Sequence, residues 1–228
     1  MPSTLELVLN DPLVPPGLVA DALLQRGIRW TTWKAHRGKA PPVPLPSACI
    51  VMGGTMGFDD DAAYPFLAAV RERSRLMIDH RIPFLGICLG GQLLAQVCGG
   101  RVYRNQRGEK GCCTVGVTSA GAEDPLFSGI PTEFDTFQWH NDAFDPPPEA
   151  IPLAASRRCP HQAFGLPGRA YGLQFHPEVT AAIVDAWCAH DPDQAAVGRH
   201  RIVFETAAPA YRSSSMRLLG NFLDISGF

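Results

Sequence analysis

The 228-residue sequence carries no excess of charge of either sign. Its 20 Lys and Arg residues and 22 Asp and Glu residues leave a formal net charge of −2. Such a balance gives no electrostatic footprint for nucleic acid or an anionic membrane. The basic residues are scattered, and "RSSSMR" near the end is too sparse to form a patch. No run approaches the roughly 20 apolar residues of a membrane span. The opening "MPSTLELVLN" has no basic leader region, and its apolar stretch is short for a signal peptide. There is no CxxC pair to suggest a zinc ribbon. Seven cysteines, an odd number, with Cys112 and Cys113 adjacent, do not form a disulfide framework. No phosphate-binding P-loop, internal repeat or low-complexity tract is found. These absences lead us to expect a soluble, cytoplasmic protein with mostly free thiols, no metal and no cofactor.

What is present is ordinary globular material, 46% hydrophobic and 18% charged, enough for one substantial core. "TLELVL" (4–9) reads as a strand, "GLVADALLQRG" as a helix stopped by Gly27, and "IRWTTW" (28–33) as a second strand. "GKAPPVPLPS" is a proline-rich loop. "ACIVMGG" is a buried strand ending in glycines, and residues 62–80 are helical once past Pro65. "PFLGIC" is the next strand, and "GGQLLAQVCGG" a helix closed by Gly99 and Gly100. This alternation predicts an α/β fold with a parallel sheet and helices on both faces. "RVYRNQ", "CCTVGVTS", "TEFDTFQWH" and "RAYGLQFH" predict further strands, some antiparallel. Two helices are expected in the tail, over 180–190 and roughly 210–224, with Asp191-Pro192 breaking the first. No convincing linker is found, so residues 1–228 read as a single domain.

The chemistry lies at three predicted strand ends. Gly86-Ile87-Cys88-Leu89-Gly90 has the form glycine, any residue, nucleophile, any residue, glycine. A sharp strand-to-helix turn strains the backbone at the nucleophile. Flanking glycines remove the β-carbons that would clash there. The positive end of the following helix favours a thiolate, and the N–H of Leu89 points to where an oxyanion would form. Isolated, Cys88 would read as a small buried hydrophobe, as most cysteines are. A thiol nucleophile needs a base. His36, His80, His161, His190 and His200 sit in polar or helical surroundings where solvated histidines are usual. His176 follows the strand-like "YGLQF", and Glu178, two residues on, could engage the second ring nitrogen. His140 in "FQWHND" is a second candidate base, with Asp142 as its nearest following carboxylate. The bland readings are a capping or core histidine for His176 and a helix N-terminal acid for Glu178. Gly53-Gly54 in "VMGGTMG" could supply a second oxyanion donor, although a plain turn would look the same.

Together, "GICLGGQ", "YGLQFHPEV" and "VMGGTMG" resemble the class I, or triad, glutamine amidotransferases. "QWHND", "HQAFG" and "LLGNFL" add similarity to the stand-alone, GMP-synthase-like members. The resemblance covers nearly the whole chain. It implies a flavodoxin-like three-layer α/β/α fold with a mainly parallel central sheet and additional antiparallel strands. It also implies hydrolysis of the glutamine side-chain amide through a cysteinyl thioester, releasing ammonia. Residue by residue, it makes Cys88 the nucleophile, His176 the general base and acid, and Glu178 the third triad member. Gly54 and Leu89 become the oxyanion donors. Gln92 helps hold substrate, although by pattern alone it would read as an exposed helical glutamine. The main chain at Trp139 and His140 reads the α-amino and α-carboxylate groups. Two positions depart from the family's usual pattern. Gly91 stands where His or Tyr is common, and Thr55 where Pro usually follows Gly-Gly. Neither removes a catalytic atom, and both bear on substrate fit. With no second domain in view, the expected partners are a small-molecule substrate, a synthase that accepts ammonia, or a second copy in a homodimer. A hydrolase of γ-glutamyl compounds and a non-catalytic binding protein on the same fold are the alternatives.

Overall fold

The computed structural model describes residues 4–191 and 193–228, and the side chains of all of these except 105–107 and 194–197. Pro192, half of the predicted Asp-Pro break, and residues 1–3 of the opening segment lie outside the described residues. Nine strands form one sheet, in the order β2-β1-β3-β4-β9-β8-β7-β5-β6. They are β1 (Leu5–Leu9), β2 (Trp30–Lys34), β3 (Ala48–Val51), β4 (Phe84–Ile87), β5 (Arg101–Val117), β6 (Glu133–Asp145), β7 (Ile151–Ala155), β8 (Ala163–Leu166) and β9 (Ala170–Leu173). From β2 through β9 the pairings are parallel. From β9 outward through β8, β7, β5 and β6 they are antiparallel. The parallel half has the flavodoxin-like order, whose ligand crevice lies beyond the carboxyl ends of the strands.

The helices are α1 (Leu18–Gln25), α2 (Phe66–Asp79), α3 (Leu89–Val97), the single-turn α4 (Ser119–Glu123), α5 (Ala181–His190) and α6 (Gln194–Ile225). Side-chain alternation divides the core between the two faces of the sheet. Leu5, Leu7, Ile50 and Leu85 point to one face, where they pack with Leu18 and Leu23 of α1, Ile183 and Trp187 of α5, and Tyr211 and Phe222 of α6. Val8, Cys49, Val51 and Phe84 point to the other, against Leu67 and Val70 of α2 and Leu93 of α3. The result is the expected three-layer arrangement. Glu6 interrupts the apolar pattern of β1 because it is paired: Arg73 of α2 donates to both its carboxylate oxygens, at 3.1 and 2.8 Å, and both residues are buried.

Several elements differ from the sequence reading. The strands expected at 101–106 and 112–119 merge into one long strand, β5, whose pairing with β6 shifts register between Arg104 and Glu109. The tail helix α6 begins well before residue 210 and carries Pro209 inside it. Burial of Phe204 and Tyr211 on either side of that proline offsets the roughly 3 kcal/mol that an internal proline costs a helix. Finally, β9 stops at Leu173, so His176 lies beyond the strand and is joined instead to β6 by a bridge to Phe137. None of the seven cysteines forms a disulfide. Among the described residues, no helix is long and apolar enough to cross a membrane.

Candidate active site

A cavity of about 240 Å³ opens at the carboxyl ends of the parallel strands. That is below the roughly 300–1,000 Å³ of sites for drug-sized ligands and suits a molecule of amino-acid size. Its wall contains Cys88, His176, Gly54, Leu89, Gln92 and the Trp139–His140 segment. The fold therefore brings seven of the eight predicted site residues to one surface. The eighth, Glu178, lies fully buried behind His176.

Cys88 sits between β4 and α3 with φ 50° and ψ −108°. That is a strained conformation for a side-chain-bearing residue, of the kind found where surrounding structure over-determines it. The glycines around it permit the turn by allowing close approach. A β-carbon on Gly86 would fall 2.5 Å from the backbone of Gly90, and one on Gly90 would collide with the Val51 carbonyl. A β-carbon on Gly91 would fall 2.6 Å from the Leu173 carbonyl oxygen. Glycine at this position thus lets the end of β9 pack directly against α3. Leu89 opens α3, so its N–H has no partner within the helix. Gly54 adjoins it: a β-carbon on Gly54 would come within 2.9 Å of the Leu89 side chain. Gly54 and Leu89, the two residues predicted to supply oxyanion donors, are therefore neighbours in the cavity wall.

His176 and Glu178 face each other across a tight turn, with His176 Nδ1 2.7 Å from Glu178 Oε1. Burial alone would lower the pKa of this imidazole. The Glu178 carboxylate, and after it the Cys88 sulfur, outweigh burial and hold it up at about 10. The other ring nitrogen, Nε2, is buried without a hydrogen-bond partner. The ring and the cysteine are close neighbours: a β-carbon on Gly53 would lie 3.2 Å from His176 Cε1 and 3.5 Å from Cys88 Cβ. Trp187 of α5 presses its ring edge-on against the imidazole, with centroids 4.8 Å apart. The Tyr211 hydroxyl clamps the turn. It donates to the His176 carbonyl and accepts from the Val179 N–H, both at 2.8 Å.

Gln92 is buried, which corrects its plain reading as an exposed helical residue. Its Nε2 donates to the Asp142 carbonyl at 3.4 Å and to Gln174 Oε1 at 3.3 Å. Trp139 stacks on Phe137 at 5.8 Å, and the Lys110 ammonium lies 5.1 Å from its centroid. The carboxylate beside His140 is not Asp142, which meets His140 Nδ1 only through its backbone carbonyl at 2.8 Å. It is Glu109, directly opposite on β5, with Oε2 3.4 Å from His140 Nε2. Burial pushes the Glu109 carboxyl up, but His140, Ser156 and Gln162 together bring it below the usual carboxylate range. Thr55 also has a structural account. Its N–H donates to Asp11 Oδ2 at 3.0 Å and its hydroxyl bonds the same oxygen, while Asp11 Oδ1 accepts from the Leu13 N–H. Proline could supply neither bond from Thr55. The loop carrying Gly54 is thereby tied to the end of β1.

Sequence reasoning missed Tyr211, Trp187, Glu109, Asp11 and Gln174. The first four act on the site from other elements, and no local pattern marks them. Gln174 stands inside "YGLQFHPEV", next but one to His176, and its strand-end position was the available signal.

A flavodoxin-like sheet with a cysteine on a strained strand-to-helix turn, facing a histidine paired to a buried carboxylate, defines a class of α/β proteins with cysteine-centred sites. Comparison narrows that class. The family described as glutamine amidotransferase class-I matches residues 18–186, and the chain belongs to that family. It is 35% identical over 185 residues to a glutamine-hydrolyzing GMP synthase of Thermus thermophilus, covering 80% of this chain and 28% of the relative. It is 38% identical over 105 residues to one subunit of the Pyrococcus abyssi glutamine-hydrolyzing GMP synthase, covering 44% of this chain and 53% of that one. The match thus spans only about a quarter of the Thermus enzyme and about half of the Pyrococcus subunit. The crystal structure of a glutamine amidotransferase from Thermotoga maritima superposes with a TM-score of 0.88 at 30% identity, over 98% of this chain and 97% of that one.

Proposed function

We propose that the chain, as one class I amidotransferase domain over residues 1–228, hydrolyses the side-chain amide of glutamine with Cys88 as nucleophile. The observation that carries this reading is the His176–Glu178 contact of 2.7 Å behind a cavity that Cys88 and His176 both line. His176, whose imidazole pKa is held up at about 10, carries the proton given up by Cys88, and the thiolate attacks the γ-carbonyl carbon, forming a C–S bond. The oxyanion is met by the Gly54 and Leu89 amides, and losing one such donor typically costs about 10²–10³ in rate. The intermediate collapses with cleavage of the C–N bond, and His176 returns its proton to the leaving nitrogen, which departs as ammonia. Water then attacks the thioester as His176 takes its proton. The C–S bond breaks, glutamate leaves, and the thiolate and protonated imidazole are restored. Glu178 holds the imidazole by Nδ1, so that Nε2 faces the sulfur. Gln92 and the Trp139–His140 segment bound the part of the cavity available to the amino-acid end of the substrate.

The names of the Thermus and Pyrococcus relatives support a synthase partner as recipient of the ammonia. The deciding measurement is ammonia release by the purified chain from glutamine and, in parallel, from γ-glutamyl dipeptides, with and without a synthase partner. Glutamine turnover that disappears in Cys88→Ala is the expected result. Turnover of the dipeptides alone would replace glutamine by γ-glutamyl compounds as substrate, and undiminished turnover in Cys88→Ala would overturn the mechanism.

A further inference from the structure

The sulfur of Cys88 has a hydrogen-bond donor that the mechanism above does not use. Gln174, one residue past β9, is fully buried, and its Nε2 lies 3.7 Å from Cys88 Sγ within hydrogen-bonding geometry for sulfur. The orientation of this amide is dictated from a distance. A backbone carbonyl can only accept, so the Asp142 carbonyl requires Gln92 to present its NH₂ group. That same NH₂ group meets Gln174, which must therefore present its oxygen to Gln92. Only the NH₂ side of Gln174 is then left to face the sulfur. The relay is fixed at its start, because the Asp142 carbonyl also takes His140 Nδ1 at 2.8 Å. Buried amides of this kind are normally satisfied; turning Gln92 would set oxygen against oxygen, and turning Gln174 would set one NH₂ group against another.

We propose that Gln174 is a positioning residue for the Cys88 thiolate, directing and stabilising the ionised sulfur through its Nε2 donor, with Gln92 fixing its orientation. This rests on the reading of Cys88 as the nucleophile. A donor facing sulfur favours the anion over the neutral thiol, because hydrogen bonds to an ionised acceptor are roughly twice as strong as neutral ones. It acts from the side of β9, while the first turn of α3 acts along the helix axis. The imidazole of His176 acts on the sulfur electrostatically, and the Gln174 amide approaches it as a second, separate group. Gln92 consequently has two roles, one toward substrate and one toward the thiol.

The test is the pH dependence of Cys88 alkylation by iodoacetamide, a neutral reagent, followed on the Cys88 peptide by mass spectrometry in the full chain. In Gln174→Met, labelling below the inflection should slow about tenfold, with the inflection displaced upward by about one pH unit. Gln92→Met should displace it in the same direction by a smaller amount, since the donor remains but loses its orienting partner. This second variant carries the test if Gln174→Met folds poorly. A merely structural role would lower stability and leave the inflection in place. Profiles for both variants that superimpose on the parent's would overturn the proposal. Failure of the parent to label at Cys88 would instead overturn the nucleophile reading, and the proposal with it.

Discussion

His176 shows how two residues of one turn can set a protonation state. Burial opposes charge on the imidazole, yet the Glu178 carboxylate 2.7 Å away, and after it the Cys88 sulfur, reverse the balance and raise the pKa from 6.5 to about 10. Because the folded protein binds this proton more tightly than the unfolded chain, the pair's stabilisation is complete below about pH 6.5. It is lost as pH rises through about 10. Glu178→Gln removes the largest of the raising causes. Chemical denaturation across that range should show the parent losing stability with pH more steeply than the variant. Parallel curves would mean that the carboxylate does not govern the imidazole. The same variant should lower glutamine turnover, because the ring loses the group that fixes its tautomer. The residue pattern His-x-Glu was legible in the sequence because it is local. So was the elbow, where glycines and a cysteine share five positions. Glu109 was not, because its partner His140 is reached across two strands. The register that places them opposite each other follows a shift after Arg104 that no short pattern encodes.

At the scale of elements, α6 is the clearest case of tertiary packing overriding a local signal. Pro209 argues for a break, and the sequence pattern starts the helix after it. The chain nevertheless runs helical from Gln194 to Ile225, because Phe204, Tyr211, Leu218 and Phe222 all bury on the sheet face that α1 and α5 share. The short strands β7 and β8 were also missed, since each offers only four or five residues and β7 contains Pro152. The functional consequence of α6 is Tyr211, whose hydroxyl spans the His176 carbonyl and the Val179 N–H on either side of Glu178. Tyr211→Phe keeps the ring and leaves both backbone groups buried without that partner. The expected cost is about 1–3 kcal/mol of stability, read by denaturant unfolding, together with a fall in kcat larger than any change in KM. A variant as stable and as active as the parent would show that the turn holds its shape without the clamp.

For the molecule as a whole, the parallel half of the sheet supplies the thiol, the imidazole and the Gly54 loop. The antiparallel half, through β5 and β6, leans the Trp139–His140 segment over them. A buried polar network lies under that hairpin. Glu109 Oε1 accepts from the Ser156 hydroxyl at 2.7 Å and Oε2 from Gln162 Nε2 at 2.6 Å, while Gln162 Oε1 accepts from Gln138 Nε2 at 3.0 Å. Glu109 also stands 3.4 Å from His140, so one carboxylate ties β5, β6 and the segment after β7 together. In low-dielectric surroundings such a network is stabilising when complete and costly when a member is lost. Glu109→Leu would leave Ser156, Gln162 and His140 facing an apolar side chain. Its effect should separate from that of a triad variant. The hairpin bounds the end of the cavity away from the breaking bond, so loss of its support should raise KM for glutamine well beyond any loss in kcat, as for an interaction made equally in ground and transition states. Cys88 alkylation in this variant should stay close to the parent's. A fall in kcat with KM unchanged would instead place Glu109 and His140 in the bond-breaking step, and would make the second histidine of the cavity, rather than its main chain alone, part of the chemistry.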